Sequence, residues 1–343
     1  MKALIKQKID NYGLTLCDVP MPNIKEMEVL VKVEAVAICG SDVHIYQSDN
    51  TYDRMKDGTI IGHEYSGEII QIGSQVKNYQ IGDKVIGESN IFCGVCEACT
   101  QHKTHLCENY KMTGIDVNGA MAQYVAVNEK MLHKISDEIT TVEASVIQPM
   151  SVSINAIYSH STINEHSSVV VFGPGIQGII AAVAVRSLGA KKVVVVGMNQ
   201  DEKVRLSVAR KLGLLTVNIE KENVEDVLYK QWGIRKVSHI VEASGSIHAF
   251  KEALSLITRG GEIVVFGIYA RTFECDLTYL VRNEIQIATS YTSNASHYEQ
   301  ALKLLESRAI DIKALIQTYP FENYQEAFED AINQRVMKPV LIL

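Results

Sequence analysis

Residues 169–178 read VVVFGPGIQG, an apolar run that passes directly into a G-x-G-x-x-G motif. The apolar run predicts a buried strand, and the motif predicts a tight turn that opens a helix. Gly173 allows the turn, Gly175 lets a pyrophosphate approach the backbone, and Gly178 allows the helix to pack closely on the strand. A plain glycine turn is the alternative, but the position between strand and helix favours a dinucleotide site. The candidate cofactor-binding residues here are Gly173, Gly175, Ile176, Gln177 and Gly178.

Beyond this motif, apolar runs alternate with segments of helical periodicity. Continuous apolar strands separated by helices are typical of a parallel sheet that is covered on both faces. This half of the chain is therefore predicted to be α/β and doubly wound. The further predicted strands are 193–196, 240–243, 263–267 and 285–290, and the predicted helices are 176–188, 202–212 and 247–257.

The first third of the chain has a different character, with short strands separated by glycine turns, and it predicts an all-β, barrel-like lobe. The composition changes near Gln148 and Pro149. After residue 295 come two helical segments and a last strand at 340–343, and this tail could fold back onto the first lobe. The predicted strands of the first lobe are 29–36, 68–72, 84–86 and 121–127.

The end of the second α/β strand departs from the usual dinucleotide pattern. Many NAD-binding chains carry an acidic residue there, which binds the ribose hydroxyls. This chain has Gly197, and Asp201 follows four residues later. Lys203 and Arg205 are nearby and could meet a 2′-phosphate, or they could lie on a solvated helix face. The sequence leaves the choice between NAD and NADP open, with Gly197 and Arg205 as candidate cofactor contacts.

Four of the seven cysteines lie in the run CGVCEACTQHKTHLC, at positions 93, 96, 99 and 107. Thiolates this close together repel one another, and a tetrahedral zinc ion would resolve that repulsion in a closed structural site. An iron–sulfur cluster and a disulfide pair are the alternatives. The spacing favours zinc, bound by Cys93, Cys96, Cys99 and Cys107.

A second set of metal-binding side chains occurs in the segments CGSDVH at 39–44 and GHE at 62–64. Thiolate, imidazole and carboxylate groups are all suitable zinc ligands. A zinc ion with an open position can lower the pKa of an alcohol and prepare a hydride to leave. Asp42 can orient a ligating imidazole, and Ser41 and His44 could carry a proton to solvent.

Composition limits the remaining choices. The chain has 343 residues, which suggests two domains, and 47% of them are hydrophobic. The net charge of −7 is scattered, so nucleic acid is a poor candidate partner. Neither a signal segment nor an apolar run of ~20 residues is evident, and a membrane is not an expected partner. These features predict a cytoplasmic protein whose Cys17, Cys39 and Cys275 stay reduced.

Taken together, these motifs resemble the zinc-dependent medium-chain dehydrogenases, particularly the sorbitol (polyol) and threonine dehydrogenase branches. The resemblance covers essentially the whole chain. It implies a GroES-like β-barrel catalytic domain at 1–151 and 291–343, interrupted by a Rossmann NAD(P)-binding domain at 152–290. The motifs that carry it are CGSDVH, GHEYSGEI, IGDKV, the four-cysteine lobe, GAMAQY, GPGIQG and KPVLIL.

The resemblance also implies roles for individual residues. Ser41 matches the hydroxyl that touches the reacting oxygen, and His44 matches the end of a proton relay through the cofactor ribose. The implied catalytic residues are Ser41, Asp42, His44 and Glu64. The implied ligands are Cys39, His63 and Glu64 for the catalytic zinc, and Cys93, Cys96, Cys99 and Cys107 for the structural zinc.

Three more positions follow from the resemblance. Gly267 and Ile268 fall where the family packs a loop near the nicotinamide. Gln148 stands where polyol enzymes usually have a glutamate beside the zinc, and it is a candidate metal ligand that lacks the negative charge. The missing charge predicts a lower pKa for a metal-bound water or alcohol.

Three functions remain open at this stage. The leading hypothesis is hydride transfer from a secondary alcohol of a polyol or sugar derivative to NAD(P)+. L-threonine 3-dehydrogenase activity is the closest rival, because the cysteine lobe is similar to that branch while the segment around Gln148 is closer to the polyol branch. A non-catalytic zinc- and nucleotide-binding protein is the third. The resemblance implies a homo-oligomer, either a dimer or a tetramer.

Overall fold

The computed structural model describes residues 1–49, 52 and 54–343. The strands are β1 (Lys2–Lys6), β2 (Thr15–Asp18), β3 (Glu28–Ala37), β4 (Thr59–Ile60), β5 (Glu64–Ile72), β6 (Lys84–Gly87), β7 (Asn90–Ile91), β8 (Lys111–Met112), β9 (Tyr124–Asn128), β10 (Leu132–Lys134), β11 (Ser168–Phe172), β12 (Lys192–Gly197), β13 (Leu215–Asn218), β14 (Val237–Glu242), β15 (Ile257–Val265), β16 (Gln286–Thr289), β17 (Ile316–Pro320) and β18 (Lys338–Ile342). The α-helices are α1 (Gly40–Gln47), α2 (Glu97–Thr100), α3 (Thr141–Ala144), α4 (Ile147–Ile154), α5 (Ile176–Ser187), α6 (Arg205–Lys211), α7 (Val224–Trp232), α8 (Ile247–Leu256), α9 (Leu277–Arg282), α10 (Ala295–Glu306) and α11 (Tyr324–Ile332).

The chain forms two compact units. The first contains Met1–Pro149, Ser293–Glu306 and Leu315–Leu343, and the second contains Met150–Thr292 and Ser307–Ala314. The division expected from the sequence differs from these units at residues 150–151, 291–292 and 307–314, all of which it assigned to the first domain. None of the helices in the described part of the chain is long and apolar enough to cross a bilayer.

The first unit is built around a seven-stranded sheet with the order β10-β6-β5-β3-β18-β17, in which β9 also pairs with β3. Apolar residues of β3, among them Val29, Val31 and Val33, are fully or almost fully buried in its core. The last strand, β18, runs antiparallel to β3, with Val340 opposite Ala37. The prediction that the chain's tail returns to the first lobe is therefore confirmed.

The second unit contains a six-stranded sheet with the order β13-β12-β11-β14-β15-β16, and every pair in it is parallel. Counted from its first strand, this order is that of the doubly wound dinucleotide-binding fold. The central strands are continuous valine runs, and Val169, Val170 and Val171 are fully buried. The predicted α/β class and the parallel sheet are confirmed. The reversal of strand order between β11 and β14 places the ligand crevice at the carboxyl ends of these strands.

Two predicted elements are present but begin three residues later than expected. A helix was expected over 202–212, but the chain first forms a 3-10 turn at Asn199–Asp201, and α6 begins only at Arg205. The turn forms because the Asp201 carboxylate accepts a hydrogen bond from the Met198 backbone N–H at 3.0 Å. A strand was expected over 121–127, and the structure has β9 at Tyr124–Asn128 instead.

Candidate metal centres and dinucleotide turn

Three metal-binding side chains converge in the first unit. Cys39 immediately precedes α1, His63 immediately precedes β5, and Glu64 is the first residue of β5. One ligand atom from each of these three residues lies within 4.8 Å of the other two. His63 and Glu64 are both 1% exposed, so they are held away from bulk water. A thiolate, an imidazole and a carboxylate in this arrangement fit a zinc ion and leave its fourth position open.

Local sequence explains why these donors face one another. The Asp42 carboxylate accepts a hydrogen bond from the Cys39 backbone N–H at 2.9 Å, which fixes the start of α1. Gly62 has φ +91°, and a β-carbon there would lie 2.6 Å from Cγ of Met121. The bend that turns His63 inward therefore requires glycine at position 62.

Asp42 also governs the protonation of His63. Its Oδ1 lies 3.9 Å from His63 Nδ1, and both side chains are buried. Burial alone would lower the pKa of His63, but the charges of Asp42 and Cys39 outweigh it and raise that pKa to about 9. In the metal-free protein His63 is thus protonated at neutral pH. Metal binding must displace this proton, so metal affinity falls as the pH is lowered.

Lys338, at the start of β18, is a member of this site that the sequence analysis did not identify. Its Nζ forms an ion pair with Glu64 Oε2 and donates a hydrogen bond to the Ile38 carbonyl at 2.9 Å. The Lys338 side chain is 4% exposed. A buried ammonium group therefore offsets the charge of the carboxylate ligand and ties the last strand to the metal-binding loop.

The other predicted catalytic residues have different environments. Ser41 is buried, and its side chain interacts with the Tyr52 phenol. His44 is half exposed and its Nδ1 contacts Asp49. Gln148 is buried and donates from Nε2 to Ser89 Oγ at 3.2 Å, so its role as a metal ligand stays a prediction.

Tyr52 is a second contributor that sequence reasoning missed. Burial raises the pKa of its phenol to about 12, and the charges of Cys39 and Asp42 act in the same direction. The hydroxyl is therefore protonated at neutral pH and can serve as a hydrogen-bond donor near the metal-binding thiolate. An isolated tyrosine in a loop carries no sequence signal for such a position.

The four-cysteine lobe forms a separate cluster in which the four sulfur atoms lie within 4.8 Å of one another. Cys93 Sγ is 4.0 Å from Cys99 Sγ, and Cys96 Sγ is 3.9 Å from Cys107 Sγ. These separations are about twice a disulfide bond length and match the edges of a tetrahedron around one zinc ion. An iron–sulfur cluster would hold the thiolates farther apart. Backbone N–H groups of Val95 and Cys96 lower the pKa of Cys93 to about 6, which favours a ligating thiolate.

The dinucleotide motif adopts the geometry that its glycines require. Gly173 has φ +97°, and a β-carbon on Gly178 would overlap the carbonyl oxygen of Gly173. Gly175 is the N-cap residue that immediately precedes α5, and a β-carbon there would meet no atom within 4 Å. This open space above a helix N-terminus fits a pyrophosphate group. Gln177 accepts a hydrogen bond at Oε1 from Ser153 Oγ at 2.5 Å, and Ile176 is the first residue of α5.

The remaining predicted cofactor residues lie at the ends of other strands of the same sheet. Gly197 ends β12, and Arg205 begins α6 with its guanidinium 3.1 Å from Asp201. Gly267 follows β15, where a β-carbon would lie 2.6 Å from the buried Glu242 carboxylate. Ile268 is 75% exposed. Their contacts with a cofactor stay predictions.

Comparison with known proteins agrees with this geometry. Residues 25–137 match the alcohol dehydrogenase GroES-like domain, and residues 177–307 match the zinc-binding dehydrogenase domain. An L-threonine 3-dehydrogenase from Escherichia fergusonii is 33% identical over 332 residues, which cover 96% of each chain. The chain belongs to the zinc-binding dehydrogenases. The family resemblance and the GroES-like and Rossmann folds inferred from the motifs are confirmed.

Solved structures of similar dehydrogenases share the whole fold. A short chain alcohol dehydrogenase from Escherichia coli, complexed with NADH, is 26% identical with a TM-score of 0.90, and the match covers 100% of this chain and 99% of that one. Galactitol-1-phosphate dehydrogenase from Escherichia coli is 22% identical with a TM-score of 0.89 and covers both chains fully. Because the sequence identity to galactitol-1-phosphate dehydrogenase is only 22%, this match supports the fold alone. The chain is thus an oxidoreductase of the zinc- and NAD(P)-dependent alcohol dehydrogenase class.

The cysteine lobe of this dehydrogenase is expected to hold a structural metal ion. Replacing Cys107 with serine should remove that ion and lower the melting temperature by roughly 5 °C, because the metal no longer links the lobe's turns. Zinc content by mass spectrometry and a thermal melt would test this expectation. Cys275→Ser, outside both clusters, is the control. A Cys107 variant that keeps the wild-type metal content would contradict the assignment.

Proposed function

We propose that this dehydrogenase oxidises a secondary alcohol on a polyol or sugar derivative and transfers the hydride to NAD(P)+. The observation that carries the proposal is the convergence of the partly buried Cys39 with the buried His63 and Glu64. When bound there, zinc acts as a Lewis acid that polarises the alcohol oxygen. Three protein ligands with an open position are typical of catalytic rather than structural zinc.

The chain's own residues supply the remaining functions. Ser41 Oγ is buried at the start of the helix that follows Cys39, and it would take up the hydroxyl proton of the alcohol while releasing its own proton toward solvent. His44 is exposed and contacts Asp49, so it is suited to exchange protons with solvent. Lys338 holds Glu64 in place, and Asp42 holds the start of the helix that carries Ser41. The turn at Gly173–Gly178 would hold the pyrophosphate.

L-threonine is the second candidate substrate, and one specific observation favours it. The relatives named L-threonine 3-dehydrogenase align with 96–99% of this chain. Threonine also carries a secondary hydroxyl, so the same metal chemistry would apply. The polyol hypothesis rests on the segment around Gln148, which is more similar to the polyol branch.

The test is the initial rate of nicotinamide reduction by zinc-replete protein. Sorbitol, xylitol, ribitol, their phosphates and L-threonine would each be assayed with NAD+ and with NADP+. Turnover of a polyol supports the leading proposal, and turnover of threonine alone selects the second candidate. No turnover with any substrate, despite two bound zinc ions per chain, would mean that the substrate class proposed here has to be abandoned.

We further propose a cytoplasmic location and a homo-oligomeric state. All seven cysteines are free thiols, and a reducing compartment would preserve the four-cysteine cluster and the Cys39 thiol. Size-exclusion chromatography with light scattering would distinguish a dimer from a tetramer.

A further inference from the structure

The end of β12 has no room for an acidic side chain. A β-carbon on Gly197 would lie 2.7 Å from Cγ of Pro174 and 3.1 Å from Cδ2 of Leu206. It would also lie 3.1 Å from Oδ2 of Asp201. The ribose-binding carboxylate that many NAD-binding chains carry at this point cannot be accommodated here.

A carboxylate nevertheless reaches the same place from farther along the chain. The 3-10 turn at Asn199–Asp201 brings Asp201 back to the strand end, where it is 3% exposed. Its Oδ2 accepts the Met198 backbone N–H at 3.0 Å, and its Oδ1 pairs with Arg205 Nη1 at 3.1 Å. Asp201 therefore places a negative charge at the end of β12, where Gly197 has no side chain. The same carboxylate pairs with Arg205.

A second carboxylate completes this arrangement. Glu220 accepts the Asn199 backbone N–H at 2.5 Å, so the two backbone donors that follow β12 are both bound by carboxylates. Arg210 and Lys221 pair with Glu202, at 2.5 and 3.6 Å. Lys203 is exposed, and Arg205 Nε is buried without a hydrogen-bond partner among the described residues.

We propose that Asp201, assisted by Glu220, makes this dehydrogenase select NAD(H) over NADP(H). In the dinucleotide-binding fold, the adenosine ribose lies at the end of the second strand. A 2′-phosphate there would face two carboxylates and would find the nearby backbone donors already occupied. A ribose hydroxyl carries no charge and meets no such repulsion. The inference rests on the proposed function only in that the turn at Gly173–Gly178 binds a nicotinamide dinucleotide.

The test measures nucleotide binding without any alcohol substrate. Dissociation constants of NADH and NADPH would be measured by fluorescence titration, and those of AMP and its 2′-phosphorylated form by calorimetry. The wild-type protein should bind NADH at least about tenfold more tightly than NADPH. Asp201→Asn keeps the side-chain shape and an acceptor for the Met198 backbone N–H. It removes the negative charge that pairs with Arg205. In this variant the ratio of the NADPH dissociation constant to that of NADH should fall by about tenfold. In Glu220→Gln the same ratio should fall by a smaller factor.

Glu165→Gln is the matched control, because it removes one exposed carboxylate just before β11, at the opposite end of the same sheet. This control variant should prefer NADH over NADPH by the same factor as the wild type. Wild-type protein that binds NADPH as tightly as NADH would overturn the inference, as would an Asp201→Asn protein that folds and keeps the full preference. If Asp201→Asn does not fold, the inference is tested by the ratio of NADPH to NADH dissociation constants in the wild type and by its change in Glu220→Gln. Failure of both dinucleotides to bind would overturn the proposed function as well, whereas equal binding of the two leaves that function intact.

Discussion

Replacing Cys39 with alanine is expected to lower kcat by about three orders of magnitude while the protein stays folded. The variant loses one of three protein donors at the catalytic metal site. Lewis-acid stabilisation of the reacting oxygen contributes several kcal/mol, and each 1.36 kcal/mol corresponds to a factor of ten in rate. Steady-state kinetics on the substrate identified by the panel would measure the loss. Metal analysis should show that one zinc per chain remains, in the four-cysteine lobe.

The folded state should tolerate this change because Cys39 does not form part of the packed core. It is only partly buried, and α1 is fixed through its backbone N–H rather than its sulfur. Cys17→Ala, in β2 of the same unit, is the control and should keep both activity and metal content. A Cys39→Ala protein with kcat within tenfold of the wild type would show that the reaction does not depend on this metal site.

The elements that sequence analysis located well are those with a strong local signal. The valine runs of β11 and β12 and the glycines of the motif determine a buried strand and a tight turn without help from distant residues. The four cysteines are likewise close in sequence, and the structure brings them together. Local pattern was therefore sufficient for the parallel sheet, the dinucleotide turn and the grouping of the four cysteines, whereas the set Cys39, His63 and Glu64 came from the family resemblance.

The sequence did not predict helix α1, whose polar residues are buried at the candidate catalytic metal site. Helix α1 buries Ser41 and Asp42 together with Ile45 and Tyr46, so its sequence lacks the usual apolar stripe. Helix α7 buries only Val224 and Leu228, and β13 has just four residues. Residues 213–239 carried no prediction of strand or helix, because these two elements offer few buried residues to mark them.

Contacts between residues that are far apart in the chain could not be predicted from the sequence either. Lys338 begins an apolar strand, where a lysine is ordinarily solvated, and its partner Glu64 is far away in the chain. Asp201 had no predicted role, and it is the 3-10 turn that places its carboxylate beside Gly197. In both cases the informative partner is chosen by the tertiary fold, which no local spacing describes.

Alanine at two glycines of the dinucleotide turn is expected to separate cofactor binding from stability. Gly175→Ala should leave the melting temperature unchanged or slightly higher, because a β-carbon there meets no protein atom and φ is −67°. It should still weaken NADH binding by about a hundredfold, because the methyl group would occupy the space that a pyrophosphate needs. Fluorescence titration with NADH and a thermal melt measure the two effects.

Gly178→Ala should behave differently, because its β-carbon would overlap the carbonyl oxygen of Gly173. Helix α5 would have to move away from β11, so this variant should lose roughly 3 kcal/mol of stability as well as NADH affinity. Both variants should retain the wild-type zinc content, because both metal sites lie in the other unit. Equal destabilisation by the two substitutions would mean that the turn is merely structural. A Gly175→Ala protein with wild-type NADH affinity would show that the dinucleotide does not approach the backbone at this glycine.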